Sequence, residues 1–127
     1  MTPAVIDASA VLALLDDEPG SERVAQALGG AAISAVNLAE VLGRLRRHGL
    51  GADAAAMAVD SLALEVVAFD RDLAAEAAEI EALAVRHGLS LGDRACLATA
   101  RRLRRPAITA DRAWLRLGIG VRVVSIR

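Results

Sequence analysis

Four acidic residues stand where a carboxylate has chemistry to do: Asp7 in "AVIDASAVLALL", Glu40 in "SAVNLAEVLGRLRR", Asp93 in "GLSLGDRACLATARRLRR" and Asp111 in "PAITADRAW". Asp7 interrupts an otherwise apolar run, and a carboxylate buried without a partner costs several kcal/mol. Asp7, Glu40 and Asp111 each follow a short β-branched run, which places them near the carboxyl ends of strands. That edge is where open α/β sheets bind ligands. Carboxylates gathered in one pocket repel one another and raise each other's pKa, a conflict that a cation resolves. Oxygen donors without a Cys or His cluster suit Mg²⁺ or Mn²⁺ rather than zinc. Such an ion keeps several waters, binds phosphate oxygens and activates a water for in-line attack on phosphorus. The hydroxyls of Ser9 and Thr109, two residues from Asp7 and Asp111, could orient a carboxylate or a metal-bound water, or cap a turn.

Each acid also has a structural reading. Asp7 can cap the helix that follows it, Asn37-x-x-Glu40 and Ser90-x-x-Asp93 have the spacing of capping boxes, and Asp111 can cap a short helix before Trp114. Asp93 follows a helix rather than a strand, so topology alone does not bring it to the others.

The elements that must position these residues alternate along the chain. Short β-branched runs at Ala4–Ile6, Ala32–Ile33, Val66–Phe69, Ala107–Thr109 and Val121–Ile126 predict strands. Helical patterns lie between them at Ala8–Asp16, Ser21–Leu28, Asn37–His48, Asp53–Leu64, Leu73–His87, Gly92–Arg105 and Arg112–Leu117. His48-Gly49 and His87-Gly88 read as helix ends, and Pro19-Gly20 as a turn. Five strands alternating with helices predict a parallel α/β sheet covered on both faces, within one domain spanning 1–127.

Composition narrows the class. The 127 residues are 55% hydrophobic but only 2% aromatic, so Ala, Val, Leu and Ile must build the core. The net charge of −1 suggests neither a nucleic-acid coat nor a membrane binder. No apolar run reaches the roughly 20 residues of a membrane span. The single Cys96 cannot form an internal disulfide, which fits a cytoplasmic protein. All fifteen cationic side chains are arginine. Without lysine, phospho-acceptor aspartate proteins are excluded, because receiver domains and haloacid-dehalogenase-like phosphatases balance the phosphoryl charge with one. Those phosphatases also need a second acid two residues on, where this chain has Ser9.

The ordered set "DASA", "NLAEV", "LGDRACLATA" and "ITADRAW" resembles a PIN-domain ribonuclease, most closely the toxin of VapBC-type toxin–antitoxin modules. The resemblance spans essentially the whole chain. It implies a five-stranded parallel sheet flanked by helices and a Mg²⁺- or Mn²⁺-dependent endoribonuclease. It matches Asp7, Glu40, Asp93 and Asp111 to the family's acidic metal-binding positions and Thr109 to its hydroxyl position. It further implies an RNA substrate, a VapB-type antitoxin, a homodimer and a toxin–antitoxin hetero-oligomer. Asn37 departs from the Ser or Thr often found there. The alternatives are a PIN-fold RNA-processing nuclease outside such a module, or a catalytically silent interaction module.

Arginines end two of the helices: Arg44, Arg46 and Arg47 after Glu40, and Arg101, Arg102, Arg104 and Arg105 after Asp93. Cations favour helix C-termini. At 1.5 Å rise per residue these side chains stand about 15 Å from their helix starts, away from the acids unless a dimer brings a partner's across. Arg94 and Arg112, next to the acids, are therefore the substrate-binding candidates. His48, His87 and Cys96 read as structural.

Overall fold

The computed structural model describes residues 2–127. Five strands run parallel in one sheet: β1 (Val5–Ile6), β2 (Ala32–Ser34), β3 (Glu65–Val67), β4 (Ala107–Thr109) and β5 (Val123–Ser125). Their order is β3-β2-β1-β4-β5, with Val5 in register with both Ala32 and Ala107. Six α-helices connect them: α1 (Ala8–Leu15), α2 (Ser21–Gln26), α3 (Ala35–Arg47), α4 (Ala52–Asp60), α5 (Arg71–Leu83) and α6 (Leu91–Leu103). Short 3₁₀ turns cover Val85–His87 and Arg112–Arg116. Among the described residues no helix is long and apolar enough to cross a membrane.

Strand alternation divides the interior in two. Ile6, Ile33 and Ile108 point to one face and pack with α1, α3 and α4 through Val11, Val41, Ala55 and Val59. Val5, Ala32 and Ala107 point to the other and pack with α5 and α6 through Leu73, Ile80 and Leu97, and with Trp114 of the second 3₁₀ turn. Burial on both faces is what a parallel sheet requires, and it accounts for the continuous apolar runs read as strands. Because α6 lies directly on the sheet, Ala95, Cys96, Leu97, Ala98, Thr99 and Ala100 are all fully buried. Small alanines allow that close approach.

The helix ends follow local chemistry. Ser34 caps α3 by accepting from the Val36 amide, so α3 starts at Ala35 and Asn37 is an interior, fully buried residue. This corrects the reading of Asn37 and Glu40 as a capping box. Ser90 and Asp93 do form one: the Ser90 hydroxyl accepts from the Asp93 amide at 3.1 Å, and Asp93 accepts from the Ser90 amide at 3.0 Å. Replacing Ser90 by Ala should lower stability by about 1 kcal/mol, measured by urea denaturation. Gly49 takes φ +99° after His48 and lets the chain turn away from α3. The predicted helix Leu73–His87 instead ends at Leu83 and resumes as the 3₁₀ turn.

Candidate active site

Asp7 lies immediately beyond β1, at the N-cap position of α1, with 5% of its surface exposed. Its side chain makes no capping hydrogen bond. Instead, Oδ2 accepts from the Ser9 hydroxyl at 2.7 Å and from the Thr109 hydroxyl at 3.0 Å. Ser9 in turn accepts from the Ala110 amide, and Thr109 Oγ1 accepts from the Asp111 amide, both at 3.0 Å. Each hydroxyl therefore takes a main-chain donor and spends its own hydrogen on Asp7. Thr109 and Ala110 lie at the end of β4 and just beyond it, so this network ties together the carboxyl ends of the central strand β1 and its neighbour β4.

Asp7 shares a cleft of about 350 Å³ with Glu40 and Asp93. Glu40 stands in the second turn of α3, its Oε1 accepting from Asn37 Nδ2 at 2.9 Å. The same nitrogen donates to the Gly92 carbonyl at 3.0 Å, so Asn37 clamps α3 to the first turn of α6. Gly92 has ordinary helical backbone, but a Cβ there would overlap the Glu40 carboxylate. The glycine makes room for Glu40 rather than for an unusual φ. Asp93 reaches the cleft because α6 must end at the amino edge of the sheet to enter β4, so its first turn stands at the carboxyl edge. This topological signal was available in the sequence: the helix before a parallel strand runs opposite to that strand.

Electrostatics follow from burial. The Asp7 carboxyl is raised from 3.8 to about 6, chiefly because burial disfavours its charge. The Ser9 and Thr109 hydroxyls pull it down, and the charges of Asp93 and Glu40 push it up again. Cys96 is raised well above its ordinary value by burial, then by the same three acids. It stays a buried thiol behind the cleft.

Asp111 lies outside this cleft. It is exposed, and its Oδ1 accepts from the Ala113 amide at 2.9 Å, capping the following turn. It connects to Asp7 through its own amide and the Thr109 hydroxyl. The four-acid convergence read from the sequence thus becomes three acids in one cleft, with Asp111 beside it. Among the described residues, no three His, Cys, Asp or Glu side chains close around one point to hold a metal ion. Glu40 is bonded to Asn37 and Asp93 to the Ser90 amide, so each carboxylate is committed to a partner on its own helix or at its cap.

The arginines are placed differently from expectation. Arg94 is engaged by Glu81 at 2.7 Å, and Arg112 is exposed beyond β4. Arg44 and Arg47 instead line the cleft with the acids. Distance from the helix start misled, because Glu40 is itself in the second turn and positions i+4 and i+7 share its face. Arg101, Arg102 and Arg105 pair with carboxylates of α5, its N-cap and β3.

Residues 4–120 match the family model described as PIN domain. No curated protein matches the chain. A chain from a toxin–antitoxin complex of Klebsiella pneumoniae superposes with a TM-score of 0.77 at 20% identity, covering 98% of each chain. A chain of DNA-bound VapBC from Salmonella typhimurium gives 0.76 at 19% identity, covering 100% of each. One from VapBC-5 of Mycobacterium tuberculosis gives 0.63 at 24% identity, covering 98% of this chain and 97% of that one. The parallel sheet in the order β3-β2-β1-β4-β5, the acids at its carboxyl edge and the match over residues 4–120 lead to one assignment: the chain belongs to the PIN domain family.

Proposed function

We propose that this protein is a metal-dependent endoribonuclease and the toxin of a VapBC-type toxin–antitoxin module. The observation that carries the reading is the single cleft lined by Asp7, Glu40 and Asp93, none of which is paired with an arginine among the described residues. Three carboxylate residues, with no imidazole or thiolate lining the cleft, fit a hard and largely hydrated divalent cation, Mg²⁺ or Mn²⁺. One or two direct carboxylate ligands with the remainder waters is the usual arrangement for Mg²⁺, and it tolerates the separation of these acids. Asp111, next in the hydrogen-bonded chain from Asp7, is proposed as a fourth acid of the same sheet edge. When bound, the cation supplies charge neutralisation at a phosphodiester and a water of lowered pKa.

The chain's own residues do the rest. Ser9 and Thr109 fix the Asp7 carboxylate, leaving Oδ1 unencumbered for the cation side. Asn37 fixes the Glu40 rotamer, and the Ser90 cap leaves Asp93 with one oxygen free. A carboxylate held above its usual pKa can accept a proton near neutral pH, so Asp7 can take the proton of the attacking water. The structural likeness to chains from VapBC complexes supports an antitoxin partner, with α1 and α3 as the contact surface of a homodimer joined by antitoxin chains. An RNA substrate and a single buried cysteine without a disulfide go with a cytoplasmic location.

The test is RNA cleavage by the purified protein across a titration of Mg²⁺ and of Mn²⁺. Activity should disappear in excess EDTA, return on adding either ion, and be suppressed by a co-expressed antitoxin. Because protons compete for Asp7, the concentration of ion needed should rise as pH falls below about 6. Undiminished cleavage in EDTA would overturn the metal-dependent reading.

A further inference from the structure

We infer that Arg44 and Arg47 form a phosphate-binding track that holds the substrate strand to one side of the scissile bond, an inference that rests on the ribonuclease function proposed for this cleft. Both line the cleft that contains Asp7, Glu40 and Asp93. They follow Glu40 at i+4 and i+7, so one stripe of α3 carries the acid and then two cations. At 1.5 Å rise per residue, Arg44 stands about 6 Å and Arg47 about 10 Å beyond Glu40 along the helix axis. Gly43 also lines the cleft, and the atom nearest the place of its missing Cβ is Arg47 Nη1, at 3.6 Å. The Arg47 guanidinium therefore leans back over a bare patch of helix, toward the acidic end.

Among the described residues, neither arginine is committed to an ion pair. Those pairs are made by Arg94, Arg101, Arg102, Arg105 and Arg127. Glu40 and Arg44 have helix-pairing spacing, yet Glu40 bonds to Asn37 instead. An acidic cleft by itself repels a polyanion. Two guanidinium groups at its far end offset that repulsion and present the planar fork that binds phosphate oxygens. Helix-dipole compensation does not explain the placement, because Arg46 in the same turn serves the α3 C-terminus equally and does not line the cleft. The substrate is thus a strand with at least one phosphate beyond the scissile one, running along α3 from the acids toward Arg47.

The test compares Arg44→Gln and Arg47→Gln with Arg46→Gln, which removes the same charge from the same helix outside the cleft. All three positions are exposed, so the fold tolerates each change. Steady-state cleavage of a single-stranded RNA oligomer should show KM raised roughly tenfold for each cleft variant, with kcat kept within about twofold. Equilibrium binding of the same oligomer, measured in an Asp7→Asn background over a range of salt, should lose about 0.7 in the log–log slope per arginine removed. Arg46→Gln should match the parent in both readouts, and Arg44→Lys should recover part of the loss by restoring the point charge. If the parent cleaves RNA while the cleft variants behave like Arg46→Gln, the track is wrong and the ribonuclease function stands. If the parent neither binds nor cleaves RNA, the ribonuclease function falls and takes the track with it.

Discussion

Asp7→Asn should abolish RNA cleavage and, at neutral pH, make the protein more stable than its parent. The loss of cleavage, at least about 10³-fold, comes from removing the most buried charge of the proposed cation site, worth several kcal/mol of transition-state stabilisation. The gain in stability has the opposite origin. Folding raises the Asp7 carboxyl from 3.8 to about 6, so the folded protein holds its proton more tightly than the unfolded chain. The stability conferred by that proton is complete below about pH 4 and is lost as pH rises through 6. A shift of about two units corresponds to roughly 3 kcal/mol at pH 7.5. Asparagine carries no charge to bury and still offers an oxygen to Ser9 and Thr109. Its Tm should therefore exceed the parent's by roughly 10 °C at pH 7.5, and the two curves should converge toward pH 4. Calorimetry at the two pH values checks the sign. A variant destabilised at pH 7.5, or one that cleaves RNA at the parent's rate, would contradict these roles for Asp7.

Gly92→Ala should cost about 10²-fold in cleavage while changing stability by less than about 1 kcal/mol. The three atoms nearest the added methyl group all belong to the Glu40 carboxylate, the far end of a flexible side chain, so the fold has an easy way to relieve the overlap. Alanine is also the better helix former, which offsets the small strain. The relief is to swing Glu40 away from Asn37 and out of its place beside Asp7. Misplacing a reacting group by about 1 Å is enough for a loss of this size. Unfolding curves that nearly coincide, together with unchanged RNA binding in the Asp7→Asn background, would place the effect on Glu40. Full activity in Gly92→Ala would show that Glu40 is free to work from another rotamer. A glycine at position 92 would then have no role in placing that carboxylate.

These expectations show how the information is divided between chain and fold. The alternation of short β-branched runs with helical patterns determined the fold class, because strands of a parallel sheet are buried on both faces and leave continuous apolar signals. Local chemistry determined the Ser90 cap, the turn at Gly49, and the position of Asp7 just beyond the first strand. The hydroxyls at Ser9 and Thr109 were legible as helpers, although only the folded chain shows that both give their hydrogens to the same oxygen of Asp7. Tertiary structure decided which acids meet. Asp93, separated from Asp7 by 86 positions, joins it because α6 must descend across the sheet to enter β4. Asp111, which follows a strand as Asp7 does, turns outward to cap its own 3₁₀ turn and stays outside the cleft. Asn37 changed from a helix cap to a clamp between α3 and α6, and Gly92 gained its meaning from Glu40, 52 positions earlier. Cap, turn and periodicity signals are carried by neighbours within about four residues, so they are present in the chain itself. A cleft between two helix ends depends on which way each helix crosses the sheet and on how closely the helices pack there. The direction follows from the order of strands and helices, but the closeness is settled only when both cores pack.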